Sequence, residues 1–94
     1  MKDIYVNDID KIKDRQLIDV REPYEQRNGM IRGAVSIPLM TLPDNLEKIN
    51  KGKPVYVVCE AGGRSFNACE YLDSLGYDCA NLLGGMSLYE GKTE

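Results

Sequence analysis

Short apolar runs alternate with amphipathic, turn-bounded stretches along these 94 residues. Ile4-Tyr5-Val6 reads as a first strand, and Asn7 is placed to cap a brief helix through Ile12, with Ile9 and Ile12 turned inward. Gln16-Leu17-Ile18-Asp19-Val20 is a second strand, stopped by Arg21-Glu22-Pro23. Pro23 suits the first turn of a short helix through Arg27, which Asn28-Gly29 ends. Ala34-Val35-Ser36-Ile37 makes a third strand closed by Pro38. Leu39 to Ile49 is a broken helical region in which Pro43 starts a new helix, since proline lacks a backbone donor and clashes one turn back. Val55-Tyr56-Val57-Val58 is the central strand, introduced by the turn Lys51-Gly52-Lys53-Pro54. The next helix runs from Ser65, its N-cap, to a left-handed cap at Gly76, with Ala68, Leu72 and Leu75 as its buried stripe. Asp78 to Leu82 is the last strand, and Gly84-Gly85 leads into a short helix near Met86 to Tyr89.

Strands alternating with helices predict an α/β fold with a parallel sheet covered on both faces. No repeat, linker or low-complexity segment interrupts the pattern, so residues 1–94 are expected to form one continuous domain. Hydrophobic residues make up 43% of the chain, enough for a core, and charged residues 29%. A net charge of -3 supplies no basic footprint, which argues against nucleic acid or an anionic membrane as partner. No segment approaches the roughly 20 apolar residues of a membrane span. Met1-Lys2-Asp3-Ile4 lacks an apolar signal region, and a cytoplasmic location is expected.

The chemistry concentrates at Cys59-Glu60-Ala61-Gly62-Gly63-Arg64-Ser65, a Gly-rich turn between the central strand and the following helix. In half of a βαβ unit, backbone N–H groups at such a turn converge with the positive end of the helix dipole. A thiol there sits in a field that favours its thiolate. The alternative for Cys59 is a small buried hydrophobe, and this is the reading that suits Cys69 and Cys79. Ten-residue gaps separate the three cysteines, and there is no histidine. The odd count argues against a disulfide framework, and the spacing against a tetrahedral zinc site. Without histidine there is no Cys-His dyad, so Cys59 must rely on backbone dipoles and cations. No cofactor is called for.

Three segments in order resemble the rhodanese (sulfurtransferase) family. Leu17-Ile18-Asp19-Val20-Arg21-Glu22-Pro23-Tyr24-Glu25 is similar to its first strand-and-turn motif. Gly29-Met30-Ile31-Arg32-Gly33-Ala34-Val35-Ser36-Ile37-Pro38 is similar to its GHIPGAxNIP segment, with Met30 and Arg32 in place of His and Pro. Cys59 through Ser65 resembles its C-x-x-G-x-R-S active loop, Leu83-Gly84-Gly85 its closing turn, and Tyr89 stands where many members carry Trp. The resemblance implies a three-layer α/β/α fold with a five-stranded parallel sheet and a persulfide carried on Cys59. It also implies a small sulfur donor or persulfidated protein as one partner and a thiol or cyanide as acceptor.

On this reading N–H groups from Glu60 to Ser65 stabilise the thiolate and the persulfide, and Gly62 and Gly63 let the loop curl close to sulfur. Cys59 and Arg64 enclose four residues, where the related phosphatase and arsenate-reductase loops enclose five. The shorter loop suits a sulfur atom better than a tetrahedral oxyanion, and no general acid for phosphatase chemistry stands out. Glu60 is either a rim carboxylate without effect or a group that repels dianionic thiosulfate in favour of a persulfide donor. At ~6 Å and an effective dielectric of ~20 such a repulsion amounts to about 2–3 kcal/mol. Arg64 either clamps a donor anion or ties the loop to Asp19 or Glu22, while Arg21 is an ion-pair partner at the same sheet edge. Glu22 and Glu25 read as a solvated helix face. A non-enzymatic persulfide carrier or binding module is the alternative from another class.

Overall fold

The computed structural model describes residues 1–94. Five strands, β1 (Lys2–Tyr5), β2 (Gln16–Asp19), β3 (Val35–Ser36), β4 (Val55–Val58) and β5 (Cys79–Leu83), form one sheet. Its order is β1-β5-β4-β2-β3, and every pairing is parallel. Three α-helices, α1 (Pro23–Gln26), α2 (Gly63–Ser74) and α3 (Gly85–Leu88), and two 3-10 helices, Val6–Lys11 and Leu39–Lys48, join the strands. No helix is long and apolar enough to cross a membrane.

Period-two alternation gives the sheet two apolar faces. Ile18, Val20, Val55, Val57, Cys59 and Cys79 pack with Ala68, Cys69 and Leu72 of α2 and with Leu42. Leu17, Val58 and Leu82 face the other way, onto Val6, Ile9 and Ile31. A strand buried on both faces reads as an unbroken apolar run, which is why β4 stood out. Because all strands are parallel, their carboxyl ends share one edge, and the segments following β2, β4 and β5 meet there.

Several local expectations are corrected. β1 starts and ends earlier than expected, because Val6 drops into the core as the first residue of the 3-10 helix. Asn7 caps nothing there. Its amide donates to the Leu88 carbonyl (2.9 Å) and its Oδ1 accepts from the Glu90 N–H (2.8 Å), joining this helix to the far end of the chain. The third strand shrinks to two residues at the sheet edge. In Leu39–Lys48 the break falls at Asn45 (φ -127°), not at Pro43, and the Asn45 amide bonds the Thr41 carbonyl one turn back at 2.8 Å. Gly62, with φ +109°, caps α2, so Ser65 lies inside the first turn. The buried stripe is Ser65, Ala68, Cys69 and Leu72. Leu75 is 38% exposed, because α2 unwinds at that residue before the left-handed Gly76.

Leu72, fully buried, and Leu75 therefore separate cleanly. Leu72→Ala is expected to cost about 2–5 kcal/mol in urea denaturation, and Leu75→Ala no more than about 1 kcal/mol.

Candidate active site

Cys59 leaves β4 at the carboxyl edge and is 1% exposed. Its Sγ accepts the Gly62 N–H at 3.0 Å and lies 3.3 Å from Ser65 Oγ. Of the N–H groups expected to converge from Glu60 to Ser65, the Gly62 N–H is the one bonded to this sulfur. Ser65 reaches it as a residue of the first turn of α2, and its hydroxyl also donates toward the Gly62 carbonyl (3.1 Å) and Asn81 Oδ1 (2.5 Å).

The loop is held from above by α3. The Cys59 and Glu60 carbonyls accept the Met86 and Ser87 N–H groups, each at 2.9 Å, which satisfies donors that a helix start leaves unpaired. The approach is close enough that a Cβ on Gly85 would stand 2.5 Å from the Glu60 oxygen and 2.6 Å from that of Cys59. Gly85 also has φ +58°, which favours glycine.

Two guanidinium groups flank the loop, and both are paired. Arg21, 3% exposed, grips the Asp19 carboxylate through Nε and Nη2 at 2.9–3.1 Å. It also donates to the Gly29 carbonyl (2.7 Å) and to Glu60 Oε1 (3.3 Å). Burial opposes its charge, but Asp19 and then Glu60 outweigh burial and hold the guanidinium above its ordinary value. Arg64 makes a two-pronged bond to Glu25 at 2.7 and 2.8 Å, so its partner is neither Asp19 nor Glu22. Glu25 is accordingly not a merely solvated carboxylate, since it also accepts the Glu22 N–H (3.0 Å) in the capping box of α1. The Arg64 hydrogen bonds lower the Glu25 carboxyl to about 2, against the opposing effect of burial and with help from Glu22. The Glu60 carboxylate, 45% exposed, is not a lone rim charge, since Arg21 offsets part of its field. Asp19, Glu25 and Glu60 against Arg21 and Arg64 leave one negative charge around the loop.

A cleft of about 470 Å³ opens beside Glu60, walled by Arg21, Tyr24, Glu25, Gly29 and Tyr89. Burial, together with a hydrogen bond to Asp10 (2.9 Å), pushes the Tyr89 hydroxyl up to about 12, so it stays protonated and donates. Ala61 and Gly63 line a second, shallower groove bordered by Phe66, Asn81 and Leu83. Cys69 and Cys79 are core residues. Hydrogen bonding to Cys79 and burial push the Cys69 thiol up, away from reactivity. Asn81 was missed in the sequence, although it is the one polar side chain that interrupts the apolar run of β5.

The model of the rhodanese-like domain matches residues 3–92. The chain belongs to the rhodanese-like family. A protein of Allochromatium vinosum named sulfurtransferase is 39% identical over 79% of this chain and 70% of its own. Thiosulfate sulfurtransferase PspE of Escherichia coli is 34% identical over 73% of this chain and 68% of its own. The crystal structure of a rhodanese-like domain protein from Staphylococcus aureus superposes with a TM-score of 0.90 at 38% identity, covering 100% of this chain and 97% of that one. Rhodanese-like sulfur transfer is thus the general chemistry of the named relatives.

Two outcomes follow from the loop's supports. Gly85→Ala is expected to destabilise the protein by roughly 2 kcal/mol or more in chemical denaturation, because the added Cβ meets backbone that has no room to move. A carboxyl held at about 2 in the folded chain, against an ordinary 4.5, contributes stability that is complete above pH 4.5 and is lost as pH falls through 2. Glu25→Gln should therefore flatten the loss of stability between pH 4.5 and 2 when unfolding is followed across that window.

Proposed function

We propose that this domain transfers sulfane sulfur through a persulfide on Cys59. The Cys59 thiolate attacks the outer sulfur of a donor R–S–SH, the donor S–S bond breaks, and R–S⁻ departs. An acceptor thiolate then takes that outer sulfur from Cys59–S–SH and regenerates the Cys59 thiolate, with no net oxidation. The single observation that carries this reading is the Gly62 N–H donated to Cys59 Sγ at 3.0 Å, beside a Ser65 hydroxyl 3.3 Å away, which supports negative charge at that atom without a proton shuttle. Glu60, Ala61 and Gly63 supply the rest of the curled loop. Asp19, Arg21 and Arg64 position it through their ion pairs. A cytoplasmic location, where thiols stay reduced, fits a chemistry that needs Cys59 free.

The donor is a persulfide of a small thiol or a protein, in preference to thiosulfate. Both guanidinium groups at the loop are engaged by carboxylates, and the residual negative charge opposes a dianion.

Intact mass after exposure to glutathione persulfide or thiosulfate tests the reading. The wild type should gain one sulfur atom that cyanide removes, and Cys59→Ser should gain none. Loading from the persulfide should exceed loading from thiosulfate by about tenfold or more, and Glu60→Lys should narrow that gap. No sulfur on Cys59 from either donor overturns sulfur transfer. Equal loading from both donors overturns only the donor preference. A stable persulfide that no small thiol or cyanide discharges would make the domain a carrier.

A further inference from the structure

Ser65 has one hydroxyl proton and three acceptors around it: the Gly62 carbonyl at 3.1 Å, Cys59 Sγ at 3.3 Å and Asn81 Oδ1 at 2.5 Å. The shortest of these is to Asn81. While Oδ1 holds the proton, Ser65 turns a lone pair toward Cys59. That suits an S–H donor and opposes a thiolate. Catalysis by thiolate needs the reverse, with the Ser65 proton on sulfur and something else donating to Ser65 Oγ.

Asn81 can supply that donor. It is 2% exposed, in the middle of β5, on the face that α2 covers. Its Oδ1 is engaged by Ser65, whereas its Nδ2 has no hydrogen-bond partner in the protein and the residue borders the shallow groove beside Gly62 and Gly63. A half-turn of the amide exchanges oxygen for NH₂ in nearly the same space and loses no bond except the one it reverses. An amide oxygen turned into the interior is costly unless it is bonded, and Ser65 is the group that bonds it, while Nδ2 is left for the groove.

We propose that Asn81 is a positioning residue that sets the direction of the Ser65 hydroxyl, so that one hydrogen-bond chain serves both the thiol and the thiolate of Cys59. With Oδ1 inward, the protons run from Cys59 S–H to Ser65 to Asn81. With Nδ2 inward, they run from Asn81 to Ser65 to the Cys59 thiolate, and each bond polarises the next. No proton changes owner inside the chain, and the thiol proton leaves to solvent or to the departing thiolate. The idea deepens the assignment of Cys59 as nucleophile. It can be tested without a sulfur donor, which keeps its failure separate from any failure of sulfur transfer.

The test is the pH profile of Cys59 alkylation by iodoacetamide, read by intact mass, with thermal denaturation as the check on folding. Asn81→Leu should slow alkylation at pH 7 by about tenfold and displace the profile to higher pH by about one unit. Ser65→Ala should slow it as well, and the double variant should be no slower than Ser65→Ala alone, because Asn81 acts through Ser65. Additive losses in the double variant, or an unchanged profile in Asn81→Leu, would overturn the proposal. Should Asn81→Leu fold poorly, the wild type still decides. The Asn81 side-chain amide resonances should move with the ionisation of Cys59, and this movement should vanish in Ser65→Ala. Resonances that stay fixed through that titration sink the idea.

Discussion

The buried guanidinium of Arg21 organises the carboxyl edge of the sheet. It bonds Asp19 at the end of β2, the Gly29 carbonyl beyond α1, and Glu60 in the loop after β4. Three segments far apart in sequence thereby share one charge. Leaving such a charge buried without its partners costs about 3–5 kcal/mol, so the three must come together for any to be stable. The cradle around Cys59 takes its place within that constraint, with Glu60 fixed from below by Arg21 and the Cys59 and Glu60 carbonyls fixed from above by α3.

This closure of charges also shapes the chemistry. A cation that is already engaged attracts a free anion weakly, because binding must first break the existing pair. Arg64 directs both prongs of its guanidinium at Glu25, and Arg21 is sheathed by Asp19 and Glu60. The groups in direct contact with Cys59 Sγ are therefore neutral dipoles, the Gly62 N–H and the Ser65 hydroxyl. The cleft beside Glu60 sets the protonated Tyr89 hydroxyl, a neutral polar group at ordinary pH, among the paired charges of Arg21, Glu25 and Glu60.

Within the sequence, period and punctuation were the legible parts. The unbroken run Val55–Val58 has the pattern of a doubly covered strand, and the Gly-rich turn after it that of a strand-to-helix junction, so the place of Cys59 and its loop was legible. Element ends were less legible. Ser65 has the chemistry of an N-cap, yet Gly62 takes that place because only a residue without a Cβ accepts φ +109° comfortably. Pro43 looked like the helix breaker, while the break went to Asn45, whose side chain could replace a backbone donor.

By itself the sequence determined the alternation of strands and helices, the family, and the place of the cysteine loop between β4 and α2, because these rest on local patterns that survive whatever the chain packs against. Only the tertiary structure decided which charges pair. Arg64 took Glu25 instead of Asp19 or Glu22, Arg21 took both Asp19 and Glu60, and Asn81 came within 2.5 Å of a serine sixteen residues away. Side-chain partners across a sheet depend on register and on which face each residue turns inward. Those are fixed when the strands pair and the helices cover them, not by spacing along the chain.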